Sequence, residues 1–295
     1  MTINVEITHP DRVLFPADGI TKADLVDYYA EVAGVMLPHL KGRPLTLWRY
    51  PRGIDQQGFV QQDFSGTLPA WMAAADVSKE DGSVVHPVAE RPEALIWLAN
   101  QNCVTLHSWL SRRDRLDEPD QVIFDFDPST DDFAPVRAAA KACGDVLRDL
   151  GLIPYLKTTG SRGLHVVAPL SRGFEFEAVR RFARDVADVV AADDPAHRTV
   201  EQRKAKRGDR IYVDVMRNAY AQTAVAPYAV RARPGAPVAT PLEWDELGKR
   251  GLRADRFSLR DVPKRVANQG DPWADMRRHA RSLTRPIERL SILRA

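Results

Sequence analysis

Cysteine is scarce in this chain: Cys103 and Cys143 are its two among 295 residues, with no Cys-x-x-Cys spacing and no companion histidine cluster. That argues against a disulfide framework or a structural zinc site, and it suits a reducing compartment. Uninterrupted apolar runs also stop well short of the roughly 18 residues that a membrane-crossing helix needs. The opening residues Met1 to Glu6 carry no basic and apolar signal pattern. The expected location is therefore the cytoplasm, associated with the nucleoid, without a membrane. One-signed charge is missing as well: 42 Lys and Arg face 40 Asp and Glu, a formal net charge of +2. So small an excess cannot by itself argue for a nucleic-acid partner, and only local clustering of cations could. Internal repeats, low-complexity linkers, a Walker A loop and a dinucleotide glycine fingerprint are all absent. With 44% apolar residues the chain can bury a large core, and residues 1–295 read as one domain of two intimately packed α/β halves.

What is present centres on Val122-Ile123-Phe124-Asp125-Phe126-Asp127-Pro128. In a strand the side-chain period is two, so Asp125 and Asp127 share one face and Phe124 and Phe126 the other. Pro128 ends the strand and leaves both acids at its tip. A lone Asp-x-Asp could equally be a solvated strand end. A third acid shifts the balance: Asp214, in Arg210-Ile211-Tyr212-Val213-Asp214-Val215, interrupts another β-type run with a charge that is costly to bury unpaired. Three carboxylates from two strands make a hard oxygen site suited to Mg²⁺ or Mn²⁺.

The remaining elements follow from spacing and punctuation. Short strands are expected at Val5 to Ile7, Arg43 to Pro51 and Val104 to Trp109, and a strand-like piece from Val225 to Arg233. Helices are expected from Lys22 to about Leu37 behind a Thr21 cap, from Pro92 to Asn100, from about Ala134 to Leu150 before Gly151, and from about Glu175 to Ala191. Beyond Pro234 only short helical patches stand out, at Leu242 to Leu247 and Asp275 to Leu283. Lys22, in the first turn of its helix, is either ordinary surface or half of an anion site with Arg12.

A second informative stretch is Tyr155-Leu156-Lys157-Thr158-Thr159-Gly160-Ser161-Arg162-Gly163-Leu164-His165, two apolar strands around a turn rich in Gly and hydroxyls. Close backbone approach, hydroxyl donors, Arg and His are the chemistry of a phosphate-holding loop. Arg198, Arg203, Lys204, Lys206, Arg207 and Arg210 then lead into the Asp214 strand; such a run is either a solvated face or a set of phosphate neutralisers. Paired divalent ions on the acids, with arginines around a triphosphate, would serve an in-line displacement. A metal-dependent nuclease and a non-catalytic DNA end-binding module remain the alternatives.

At these residues the chain resembles the archaeo-eukaryotic primase superfamily: Val122 to Pro128, Gly163-Leu164-His165 and Val213-Asp214 are similar to its three motifs, in order. It is closer to the polymerase domain of bacterial LigD, and within that group to stand-alone mycobacterial proteins of the Prim-PolC type. Thr8-His9-Pro10, Lys157-Thr158-Thr159-Gly160 and Ala226-Pro227-Tyr228 extend the likeness over nearly the whole chain. The resemblance implies an α+β fold, with an RRM-like antiparallel sheet core and flanking helices, and a DNA-directed primase-polymerase that uses nucleoside triphosphates and two Mn²⁺ or Mg²⁺ ions. It implies Asp125, Asp127 and Asp214 as catalytic metal ligands. His107, Thr159, Arg162, His165, Arg207, Arg217, Arg231 and Phe59 fall at nucleotide-site positions. Arg12 and Lys22 match a cation pair that grips a downstream 5′-phosphate. The family's second aromatic is here Val60, and Trp48 stands where relatives often have lysine. Its implied partners are gapped or broken double-stranded DNA, a separate DNA ligase and an end-binding protein, with the chain acting as a monomer. Preference for ribonucleotides is also implied. No Lys-x-Asp-Gly occurs, so the adenylated-lysine signature of a ligase is missing; no ligase domain and no nuclease domain is expected beside the polymerase domain.

Overall fold

In a computed structural model that describes residues 4–79 and 81–294, the apolar run around Asp125 is a strand, Gln121–Asp127, that stops one residue before Pro128. A residue with no N–H to donate requires that ending. In chain order come β1 (Val13–Phe15), β2 (Ile20–Thr21), α1 (Lys22–Glu31), α2 (Ala33–Leu40), β3 (Leu45–Arg49), β4 (Phe59–Gln61), β5 (Ala73–Lys79), β6 (Gly82–Val88), α3 (Pro92–Asn100) and β7 (Cys103–Trp109). Next are β8 (Gln121–Asp127), α4 (Ala134–Asp149), β9 (Tyr155–Thr158), β10 (Leu164–Pro169), α5 (Phe176–Asp193), β11 (Arg198–Thr199) and β12 (Ile211–Asp214). The chain finishes with β13 (Thr223–Val225), β14 (Pro241–Leu242), α6 (Val262–Gln269) and α7 (Thr284–Leu293). Helices and mainly antiparallel sheets make the α+β class that was expected.

Two compact units divide the chain, and one takes the residues up to Asp114 together with Thr223–Thr240 and Phe257–Asp271. Its sheet runs β13-β7-β3-β4, antiparallel throughout, and β5 and β6 form a separate hairpin. Thr21 caps α1 as its sequence suggests: its hydroxyl accepts from the Asp24 N–H at 3.2 Å while Asp24 Oδ2 accepts from the Thr21 N–H at 2.7 Å. Such a reciprocal box satisfies two otherwise orphaned donors. Leu25, Tyr28, Tyr29 and Met36 enter one core with Leu45, Leu47, Leu95, Leu98, Val104 and Leu106.

Three expectations for this unit need correction. Residues 5–7 are irregular rather than a strand: among the described residues no strand pairs with them, and Glu6 O accepts from the Asn100 side chain at 2.9 Å instead. The long helix from Lys22 breaks at Val32 (φ −89°, ψ 0°), just ahead of the poor helix former Gly34, and resumes as α2. The piece after Val225 leaves the ladder after one further bond, from the Ala226 N–H to Leu106 O at 3.0 Å, since Pro227 has no N–H and Tyr228 adopts φ +66°; an isolated Val230–Val238 bridge follows.

The other unit holds Arg115–Gln222, Pro241–Arg256 and the residues from Pro272 onward. Its six-stranded sheet runs β11-β12-β8-β10-β9-β14, antiparallel except for the β11–β12 pair. Helices α4 and α5 pack on this sheet with regular apolar stripes, Val136, Ala139, Ala140, Cys143 and Leu147 on one and Val179, Phe182, Val186 and Val190 on the other. Phe124 and Phe126 are fully buried. Helix α4 carries Gly144 where the Trp244 indole packs; a Cβ there would meet the ring at 2.4 Å. The patches expected near Leu242 and Asp275 are 3₁₀ turns, Trp244–Gly248 and Met276–His279. Helices α6 and α7 and the β5–β6 hairpin had no counterpart in the sequence reading.

Candidate active site

Strand register assembles the acidic cluster. Asp214 on β12 pairs directly with Asp125 on β8, which pairs with His165 on β10. Directly paired residues in an antiparallel ladder project to the same face, so acid, acid and imidazole form one transverse row, and Asp127 follows two residues along β8. Lys157 on β9, paired with His165, extends the row and is 1% exposed. One carboxylate oxygen from each of Asp125, Asp127 and Asp214 lies within 4.8 Å of the others. The sequence suggested that the three acids share one site, and the β12–β8 pairing is what brings Asp214 beside Asp125.

Local hydrogen bonds orient the row. The Met216 N–H donates to Asp214 Oδ1 at 2.7 Å, in the 3₁₀ turn Met216–Asn218 that follows β12. His165 Nε2 lies 3.3 Å from Asp125 Oδ1. Asn218, fully buried, accepts from the Ile123 N–H at 2.9 Å and donates to Ile123 O at 2.7 Å and Val215 O at 2.9 Å, pinning that turn to β8. This clamp was missed in the sequence, where only a buried setting would have distinguished Asn218 from a surface amide.

The electrostatics are those of crowded carboxyls. Burial pushes Asp127 up to about 7, with Asp125 and Asp214 adding repulsion and Arg217 and Arg207 pulling the other way. Asp214 is also raised, chiefly by burial, against the Met216 N–H that favours its charged form. Three close, half-desolvated carboxylates are stabilised by a cation placed among them, and an all-oxygen set suits a hard divalent ion. The residues therefore fit the Mg²⁺ or Mn²⁺ site that the sequence suggested.

The turn between β9 and β10 closes over the end of β8. Gly163 approaches so tightly that a Cβ would stand 2.2 Å from Phe126 O. Thr159 Oγ1 is the hub: it accepts from the Gly163 N–H at 3.1 Å and the Ser161 N–H at 3.3 Å and donates to Gly163 O at 3.0 Å, while Gly160 takes φ +62°. Arg162 at the tip is exposed and His165 at the base is buried. Arg207 stacks on the Tyr212 ring at 3.8 Å and donates to Glu201 O and Gln202 O, so its head group is fixed beside β12. Arg198, by contrast, is a structural staple to Asp193 and Val190 O.

The other sequence-derived positions belong to the first unit. His107 is half-buried on β7, Phe59 is exposed on β4, and Arg231 is half-buried just after Val230. Arg12 Nη1 donates to Pro51 O at 3.0 Å. Lys22 is 1% exposed; its ammonium donates to Thr8 O at 2.5 Å and Asn100 O at 3.1 Å. Burial, then the nearby Arg12 charge, lowers its proton affinity. The Lys22 and Ala23 N–H groups donate to Arg12 O and Pro10 O, so the Thr8 to Arg12 loop is seated on the start of α1.

Comparison with known proteins identifies the family. A family model described as LigD, primase-polymerase domain, matches residues 21–273. The multifunctional non-homologous end joining protein LigD of Mycobacterium bovis is 34% identical over 276 residues, 90% of this chain and 36% of that protein. The bifunctional LigD of Bacillus subtilis is 31% identical over 281 residues, 93% of this chain and 44% of that protein. The chain thus spans less than half the length of these relatives. Among solved structures, the polymerase domain of Mycobacterium tuberculosis ligase D in complex with DNA superposes with a TM-score of 0.88 at 33% identity, covering 94% of this chain and 99% of that one. By sequence and by fold, the chain belongs to the LigD primase-polymerase domain family.

Proposed function

We propose that this chain is a template-dependent nucleotidyltransferase, a DNA-directed primase-polymerase that adds nucleotides, ribonucleotides by preference, at short gaps or broken ends during DNA repair. The observation that carries the reading is the convergence of Asp125, Asp127 and Asp214 within 4.8 Å, in a family whose solved relative was captured with DNA. Bound at these acids, Mn²⁺ or Mg²⁺ ions would supply Lewis acidity to the attacking hydroxyl and to the phosphates. The 3′-oxygen of a primer bonds to the α-phosphorus, the bond to the bridging oxygen breaks, and pyrophosphate leaves while the hydroxyl proton passes to solvent. Thr159, Arg162 and His165 hold the triphosphate from the β9–β10 turn; Arg207 and Arg217 balance its charge; His107 and Arg231 contact the nucleotide, whereas Phe59, on the face of the sheet opposite His107, takes no part in that contact. Arg12 takes a downstream 5′-phosphate, and Lys22, whose ammonium lies inward on Thr8 O and Asn100 O, supports that contact by holding the Thr8 to Arg12 loop in place from beneath. A separate ligase seals the product, and the protein works as a monomer in the cytoplasm, on nucleoid DNA.

Extension on a gapped duplex, with and without the 5′-phosphate, tests this. Replacing Asp125 and Asp127 together with Ala should abolish extension and leave DNA affinity nearly intact; persistent extension would refute the metal assignment. Ribo- against deoxyribonucleotides and Mn²⁺ against Mg²⁺ decide the preferences. Degradation of labelled DNA without nucleotides would favour a nuclease instead. Substituting Arg12 should weaken binding only to the phosphorylated gap.

A further inference from the structure

Trp48, Phe59 and Val60 are the large apolar side chains that the four-stranded sheet of the first unit leaves in solvent, at 39, 46 and 45% exposure. The ladder sorts them by face. Trp48 lies directly across from Val60 and Arg49 across from Phe59; paired residues share a face, and sequence neighbours alternate. Phe59 therefore sits with Arg49, whose guanidinium carbon is 5.4 Å from its ring centroid, and Trp48 and Val60 sit on the opposite face. On that face β7 sets Thr105 across from Trp48 and His107 across from Thr46. The indole and imidazole centroids are 6.1 Å apart at 41°, over threonines that are 4 and 3% exposed.

This is an exposed broad ring, flanked by a hydrogen-bonding imidazole and by an aliphatic side chain too short to stack. A flat heterocycle with polar edges fits such a surface, because its face can cover the indole while its edge meets polar groups. We propose that Trp48 is the residue on which the base of the incoming nucleotide stacks, and that the width of the indole gives purine nucleotides the advantage. The inference rests on the polymerase reading, which places His107 beside the same nucleotide.

Single-nucleotide gaps with templating T or A, filled with ATP or UTP, test it in the parent, Trp48→Ala and Trp48→Phe. Stacking on one aromatic side chain predicts that Trp48→Ala raises the KM for ATP about tenfold or more, and that for UTP less, with kcat within about threefold. Trp48→Phe should fall between. Binding of α,β-methylene ATP, followed by tryptophan fluorescence, should quench the parent and lose that component in Trp48→Phe. Unchanged KM values in Trp48→Ala overturn the proposal, as does weaker DNA binding at constant nucleotide KM, which would assign the ring to a base of the DNA. If the parent does not extend at all, the polymerase reading fails, and the titration alone judges Trp48: quenching retained in Trp48→Phe refutes it.

Discussion

Asp127 carries the pH behaviour of the acidic cluster. Its carboxyl is raised from 3.8 to about 7, mainly by burial. The folded chain therefore binds that proton more tightly than the unfolded one, a contribution that stabilises at low pH. As pH rises from about 4 to about 7 the unfolded state ionises first and the contribution is lost. Metal-free protein should lose Tm between pH 5 and pH 8 relative to Asp127→Asn, and Mn²⁺ should raise Tm more at pH 8, where protons no longer compete for the site. A parent that gains stability over that range against the variant would contradict the assignment. Lys22 makes a second residue-scale prediction. Its ammonium satisfies Thr8 O and Asn100 O, so Lys22→Met should cost about 1–3 kcal/mol through the carbonyls it abandons, read from urea denaturation. A surface lysine would cost nothing measurable. Both cysteines are fully buried, and burial pushes the Cys103 thiol up to about 12, in line with inert structural roles.

At the scale of elements, the site depends on how closely neighbouring strands and turns approach. Gly163→Ala would force a Cβ against Phe126 O, with Asp125 Oδ1 only 3.6 Å away. The substitution should cost roughly 2 kcal/mol or more and depress extension as β8 shifts; an unchanged denaturation midpoint would show that the turn yields freely. Asn218→Ala removes three hydrogen bonds that join the turn after β12 to Ile123 and Val215. Its expected cost is on the order of 1–3 kcal/mol, accompanied by weaker Mn²⁺ binding, because that same turn supplies the N–H that orients Asp214. The elements bearing these features were legible from alternation and punctuation alone: Pro128 ended β8, Thr21 capped α1, and Gly151 followed α4. Those absent from the reading include the β5–β6 hairpin and α6 and α7; α6 and α7 run only 8 and 10 residues and bury one and two side chains, too short a stripe for spacing to separate from a loop.

For the whole molecule, the proposal is an extension enzyme that leaves its product unsealed. Incubated with a phosphorylated gap, nucleotides and Mn²⁺, this 295-residue chain should yield a filled gap with an intact nick, and sealed product should appear only when a DNA ligase is added. Sealing by the chain alone would require an adenylated lysine outside the Lys-x-Asp-Gly pattern. The sequence reading took the chain as one domain of two α/β halves; the limits of the two compact units cut across the order of the chain. The segments Thr223–Thr240 and Phe257–Asp271 return to the first unit after the acidic strands are complete. No shift of composition marks those crossings.

By itself the sequence determined the local terms: the two-residue alternation that aims Asp125 and Asp127 together, the buried phenylalanines behind them, the capped helix at Lys22, and the Gly-rich turn before His165. Only the tertiary structure decided that β8 lies between β12 and β10, so that Asp214 and His165 flank Asp125; that the Lys22 ammonium turns inward; and that Phe59 and Trp48 occupy opposite faces. The division has a physical cause. Side-chain direction along one strand follows from backbone geometry residue by residue, whereas the partner across a ladder is chosen by how all the apolar faces of the chain can be buried at once.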